Sequence, residues 1–392
     1  MIWVSKWLRG NTLTWRTRAS LSIFWVVAAV TVACAARNGG LVVGSKDVSA
    51  AGEPVAAIWA SGVALPAGQR WAVSDGETGW VVTQVFQNNS LLLTRFSLAD
   101  GTFTTIVLEK DLGRFSGAGL SADGAGHLWI AYSDAAVRVD ETTGAIDRWP
   151  LTEISGGELG SDNPSAGNAQ AAAWDAKDHS LLFVRNFDHW LYRLNPSDGV
   201  VSRVVDMELI ASTVSSLAVS DDGTLGVTGS ASSAVYTPVA ARIVSGKPEV
   251  VPNSIALCAI SSQLVVLGQD GGIRTLGDEA RLVANVSAPQ ARSPLACYGG
   301  NIFQAGAGDG QITIDRISID GDVVELGMPL AAAGTVTSFG GKDVPGAWLD
   351  PGLQSLVPDQ TGGVWVVVMS GTQEGEGDGP SYPSLVHLSI SP

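Results

Sequence analysis

One unit recurs along almost the whole chain. Small residues lead into a strand, a turn rich in Asp, Ser and Gly follows, and a second apolar strand comes after it. The copies read WAVSDGETGWVVTQV, AGLSADGAGHLWIAY, AAAWDAKDHSLLFVR, SLAVSDDGTLGVTG, IALCAISSQLVVLG, PLACYGGNIFQAG and SLVPDQTGGVWVVV, the first beginning at Trp71. Taking the start of each second strand as a marker gives Trp80, Leu128, Leu181, Leu225, Leu264, Ile302 and Val364, separated by 48, 53, 44, 39, 38 and 62 residues. A third and a fourth strand usually follow, joined by the turns LADG, ETTG and PSDG, whose residues tolerate the backbone that hairpins demand.

A repeat of about 40 to 50 residues, each a four-stranded unit unable to bury its faces alone, is the signature of a β-propeller. A solenoid reads similarly but uses shorter repeats stacked in an open line. The expected fold is all-β, a seven-bladed propeller spanning 51–392. Forty-seven glycines fit many tight turns. The last unit shows only three strands, SLVPD, GVWVVVM and SLVHLSI, so its fourth is expected from the N-terminal side, with PVAAIW at 54–59 as donor. Closure of that kind removes an exposed strand edge.

The N-terminus carries a different signal. Lys6, Arg9, Arg16 and Arg18 precede an apolar run from Leu21 to Ala36, and the first acidic residue is Asp47. This is the pattern of an export signal or a membrane-anchor helix over 1–36, followed by a linker over 37–50, and it places the body outside the cytoplasm. Thr31-Val32-Ala33-Cys34 resembles the lipobox of bacterial lipoproteins, which implies lipidation at Cys34. Ala33-Cys34-Ala35 reads equally well as an ordinary cleavage site, and an uncleaved anchor is the third fate. Subtracting those four cations from the chain's 23 leaves 19 basic against 38 acidic residues, which argues against nucleic acid as a partner.

Two blade-level resemblances follow from particular segments. VDETTGAIDRW, from Val139 to Trp149, is similar to the tryptophan-bearing unit of quinoprotein-type propellers, and DGAGHLWIAY resembles the repeat of streptogramin-lyase-like propellers. Both imply a propeller, and neither fixes a function, because such propellers host enzymes, sensors and scaffolds alike. The quinoprotein unit is clear only once here, whereas enzymes of that family repeat it. Streptogramin lyases are expected to gather histidines and a glutamate on one face. Here His127 and His179 fall in turns on one side, His189 on the other and His387 in an outer part of the last blade, so a structural or solvated role is expected for each.

The remaining candidates are few. Cys258 and Cys297 occupy matching places in SIALC and SPLAC of adjacent blades, where first strands crowd together, and a disulfide is expected between them. Glu374, Glu376 and Asp378 alternate with glycine in GTQEGEGDGP, a calcium candidate that also reads as a solvated hairpin tip. No cofactor and no catalytic set is expected. Trp80, Trp129 and Trp365 are expected in the core.

Loop length points to a binding face. The long segments 154–168, 331–351 and 371–381 all connect either one blade to the next or a second strand to a third, and these connections emerge on one side of the disc. Asp162, Asn163, Asp188, His189, Lys342, Asp343, Trp348 and Asp350 are the expected contact residues there. The functional expectation is an exported, membrane-tethered or secreted propeller that binds a protein or an envelope polymer without catalysis. The alternative is a propeller enzyme of the lyase or quinoprotein-dehydrogenase type.

Overall fold

The computed structural model describes residues 41–43, 57–61, 68–74, 76–85, 91–99, 102–107, 119–131, 135–151, 169–185, 190–232, 234–277, 280–286, 295–308, 311–329, 347–349, 356–370 and 382–389. The chain divides into two units, 1–40 and 41–392, and all described residues belong to the second. The expected signal or anchor over 1–36, Cys34 included, lies outside the described residues. Among the described residues no helix is long and apolar enough to cross a membrane.

Strands β1 (Leu41–Val43) and β2 (Ala57–Ser61) come first; β1 lies within the stretch expected as linker. The first blade holds β3 (Gly68–Ser74), β4 (Thr78–Val85), β5 (Leu91–Ser97) and β6 (Phe103–Val107). The second holds β7 (Leu120–Ala122), β8 (His127–Ala131), β9 (Ala135–Asp140) and β10 (Ile146–Pro150). The third holds β11 (Ala169–Asp175), β12 (Ser180–Arg185), β13 (Trp190–Leu194) and β14 (Val201–Asp206). The fourth holds β15 (Thr213–Val219), β16 (Leu225–Ser230), β17 (Pro238–Val244) and β18 (Lys247–Pro252). The fifth holds β19 (Ser254–Ile260), β20 (Gln263–Gly268), β21 (Gly272–Leu276) and β22 (Leu282–Asn285). The sixth holds β23 (Leu295–Tyr298), β24 (Asn301–Gly308), β25 (Gln311–Ser318) and β26 (Val323–Pro329). Every one of these sheets is antiparallel in sequence order.

Six regular four-stranded blades are therefore present among the described residues, against the expected seven. The remaining strands, β27 (Ala347–Leu349), β28 (Leu356–Pro358), β29 (Val364–Ser370) and β30 (Tyr382–Ser389), combine with β1 and β2 in one six-stranded sheet. Its inner position is split, because β27 and β28 both pair with β29 at different points along it. Its outer positions come from the N-terminal side: β2 pairs with β30 from Ala57↔Ser389 to Ser61↔Leu385, and β1 pairs with β2. The donor segment is the one expected, displaced toward Ser61.

All seven marker residues fall in second strands, and the reason the repeat was readable is visible in their burial. A second strand has a neighbouring sheet on both faces, so β16 is buried at all six residues and β8 at four of five. Such strands read as continuous apolar runs, while the outermost strands β10 and β18 are mostly exposed. The core consequently lies between sheets. Trp80, Val82 and Leu93 of the first blade pack with Leu128, Ile130 and Val137 of the second, and Phe96 and Leu98 pack with Val357 and Trp365 of the six-stranded sheet. Trp80, Trp129 and Trp365 are all buried, as expected.

First strands meet around the axis, with β3, β7, β11, β15, β19, β23 and β28 each beside the next and β28 beside β3. Between β19 and β23 runs the expected disulfide, Cys258–Cys297, with Cα atoms 5.6 Å apart. Its partners are 39 residues apart, a loop whose closure entropy corresponds to about 4 kcal/mol in the chain-entropy model. The double variant Cys258→Ser/Cys297→Ser is expected to stay folded and lose about that much stability, read as a lowered melting temperature without reductant.

Candidate functional site

The strand pairing defines two faces. Turns joining first to second and third to fourth strands leave one side of each blade; connections from second to third strand and between blades leave the other. The ends of β10 and β11, β12 and β13, β26 and β27, and β29 and β30 open onto that second side. These pairs of ends flank the segments that hold Asp162, Asn163, Asp188, His189, Lys342, Asp343, Glu374, Glu376 and Asp378. Those residues and Asp350 lie outside the described residues. Trp348 is described at its backbone alone, in β27 opposite Met369.

Between the faces, the first strands enclose a cavity of about 320 Å³. Its wall is made of small and apolar side chains such as Ala72, Ala173, Ala218 and Ala259, joined by Trp174, two serines and both disulfide cysteines. Ser121 is held in place: its Oγ accepts from the Trp174 N–H at 2.7 Å. Small residues follow from crowding of strands at the axis, and no carboxylate, imidazole or amine belongs to the described wall. At the turn side, the Tyr298 ring lies against Gly76, whose φ of +95° and lack of a Cβ permit the approach.

The turn face carries a second construction, built on the Asp that recurs in the repeat. Asp123 Oδ1 accepts from the N–H groups of Ala125 and His127, while Oδ2 meets His127 Nδ1 at 2.8 Å and accepts from Trp129 Nε1 at 3.1 Å. Asp359 repeats the device: Oδ1 accepts from Thr361 N at 2.7 Å and Gly363 N at 2.9 Å, and Oδ2 meets His387 Nε2 at 2.5 Å. The His387 ring in turn stacks on Trp365, with centroids 4.7 Å apart. Asp175 accepts from Lys177 N and Asp178 N and pairs with Arg193. Each carboxylate thus ties a first-to-second turn to the blade behind it.

His127 and His387 are accordingly bound to structural carboxylates in separate sheets, and His179 occupies the turn between β11 and β12 with a φ of +49°. Among the described residues no three His, Cys, Asp or Glu side chains are placed to hold a metal ion. Burial pushes the Asp359 carboxyl up, but hydrogen bonds from His387, Thr361 and Gly363 outweigh it and hold the group below its ordinary value. Because the folded state then favours the carboxylate, its contribution is present above the unfolded value near 3.9 and disappears as pH falls through the lower folded value. Asp359→Ala should cost about 2 kcal/mol at pH 7, and its gap from the parent should close as denaturation is repeated below pH ~4.

Sequence reasoning missed the aromatic group behind the second blade. Trp129 stacks on Trp174 at 5.2 Å and contacts Trp149 at 5.0 Å, while the Arg138 guanidinium lies over the Trp129 and Trp149 rings and pairs with Asp147. Trp149 Nε1 donates to the Pro196 carbonyl of the third blade at 3.2 Å. The quoted VDETTGAIDRW unit therefore ties two blades together.

A scan against protein families finds no match, and a search of curated proteins finds none either. Solved structures do match. A puromycin-hydrolysing peptidase of Mycobacterium tuberculosis superposes with a TM-score of 0.53 at 15% identity, over 81% of this chain and 50% of the peptidase. This chain thus spans about half of that protein, and the likeness concerns the fold alone. The neighbours also include the β-propeller domain of the Trilobed protease from Pyrococcus furiosus (TM-score 0.46, 10% identity, covering 80% of this chain and 96% of that one). A third is a quinoprotein alcohol dehydrogenase-like protein from Bacteroides thetaiotaomicron (TM-score 0.45, 12% identity, 70% and 75%). By its own architecture the chain is an all-β propeller.

Proposed function

We propose that this chain is an exported propeller, tethered through its N-terminus or secreted, that binds a protein or an envelope polymer with its long-loop face and does no chemistry on it. In this reading the six-stranded sheet is the seventh blade, with an inner strand broken by the segment between β27 and β28 and with β1 as an extra outer strand. The observation that carries the proposal is the separation of parts: blades tied by buried cores and turn clamps, with the long segments springing from one face. A rigid disc presenting loops on one side is suited to recognition. The basic and apolar N-terminus supports export, and a disulfide is in keeping with an oxidising compartment. The enzyme reading, of lyase or quinoprotein-dehydrogenase type, is the alternative, kept because one quinoprotein-like unit is present.

Photo-crosslinking in whole cells tests the binding face. A photoreactive residue at position 162, 189 or 348 should give a discrete crosslinked species, while one at the turn positions Thr142, Ser197 or Asp222 should give none. Equal crosslinking from both faces, or none from the long-loop positions, contradicts the proposal.

A further inference from the structure

We propose that the Cys258–Cys297 bond is a redox latch addressed through the central cavity, opened by a small dithiol in the folded protein and leaving the blades packed when it opens.

The bond sits at the inner margin of the core: Cys258 is buried in the cluster between the two blades, while Cys297 is packed at the edge of that cluster. β19 and β23 belong to different sheets and share no backbone pairing, so the bond is a covalent tie between the innermost strands of the fifth and sixth blades. Both cysteines line the cavity, and Cys297 is only half-buried. Thiol–disulfide exchange requires an attacking sulfur to reach the bond, and accessible disulfides are the labile and regulatory ones. A cavity of about 320 Å³ admits a small thiol but not a protein.

The same two blades are held by more than this bond. Ile255, Ile260, Val265, Leu267 and Ile273 of the fifth blade pack with Ile302 and Ile317 of the sixth in one buried cluster. Opening the bond therefore leaves that interface in place and frees the wall of the cavity.

The step balances with a dithiol as reductant. One of its thiolates attacks the Sγ of one cysteine, the S–S bond breaks, and the electron pair leaves on the other Sγ, which takes up a proton. The second thiol of the reductant then displaces the first cysteine from the mixed disulfide. The products are two cysteine thiols and a cyclic disulfide of the reductant, with two electrons and two protons transferred.

The test uses the full chain in native buffer, with dithiothreitol or the same concentration of thiol grafted on a large dextran. Alkylation and peptide mapping read Cys258 and Cys297 separately from Cys34, and circular dichroism follows the sheet. The expected result is reduction about tenfold faster by the small dithiol, with the sheet signal retained. Ala259→Leu, which narrows the cavity, should slow that reduction several-fold while leaving reduction in denaturant unchanged. Equal rates with both reductants, reduction only under unfolding conditions, or loss of the sheet signal on reduction would each overturn the proposal.

Discussion

A chain shortened to begin after Ser61 is expected to lose cooperative folding and to aggregate, whereas one beginning at Leu41, which keeps both β1 and β2, melts with the parent. The reason lies in the pairing of the six-stranded sheet. β2 covers the outer side of β30 along five residue pairs, and β1 covers β2. Without them β30, eight residues long, becomes a free edge on the sheet that stands between the first and sixth blades. Each lost backbone hydrogen bond is worth about 1 kcal/mol net, and five or so remove much of a stability that for a domain is only about 5–15 kcal/mol. Exposed edges also pair with other chains. Thermal melts followed by circular dichroism, with size-exclusion chromatography of the same samples, separate the two shortened chains.

Trp129→Ala is expected to cost about 5 kcal/mol, the largest effect of any single substitution considered. Trp129 is fully buried, stacks between Trp174 and Trp149, lies under Arg138 and donates to Asp123. Removing it opens a cavity between the second and third blades and strips a donor from the Asp123 clamp. Trp129→Phe keeps most of the packing and loses the donor, for about 1–2 kcal/mol. Urea midpoints at constant slope measure both, and a Phe variant as damaged as the Ala variant would assign the energy to the hydrogen bond instead.

The blades were legible because their second strands are buried on both faces, which forces the apolar runs WVV, LWIA, LLFV and LVVL once in every blade-sized stretch of chain. The disulfide was legible because SIALC and SPLAC place their cysteines at equivalent points of neighbouring innermost strands. The closing sheet was less so. A strand broken into β27 and β28 leaves no continuous pattern, and β1 is only three residues long. The clamps at Asp123 and Asp359 carry a signal in the sequence, an Asp in the turn followed by a Trp on the second strand, but their histidine partners differ. His127 sits four residues after its aspartate, whereas His387 comes 28 residues later on another strand. Register, not spacing, brings that second pair together. The expected contact residues from Asp162 to Asp350 rest on loop length alone, which says where chain is spare and not what it touches.

A propeller that binds without catalysing needs no resident metal or cofactor of its own. Native mass spectrometry with elemental analysis, on residues 41–392 expressed in an oxidising compartment, reads whether such a group is present. A bare polypeptide mass is expected, two hydrogens below that of the same chain with Cys258 and Cys297 reduced, with no stoichiometric metal or organic group. Calcium, magnesium or a quinone bound one to one would contradict it and turn the search toward lyase or dehydrogenase activity.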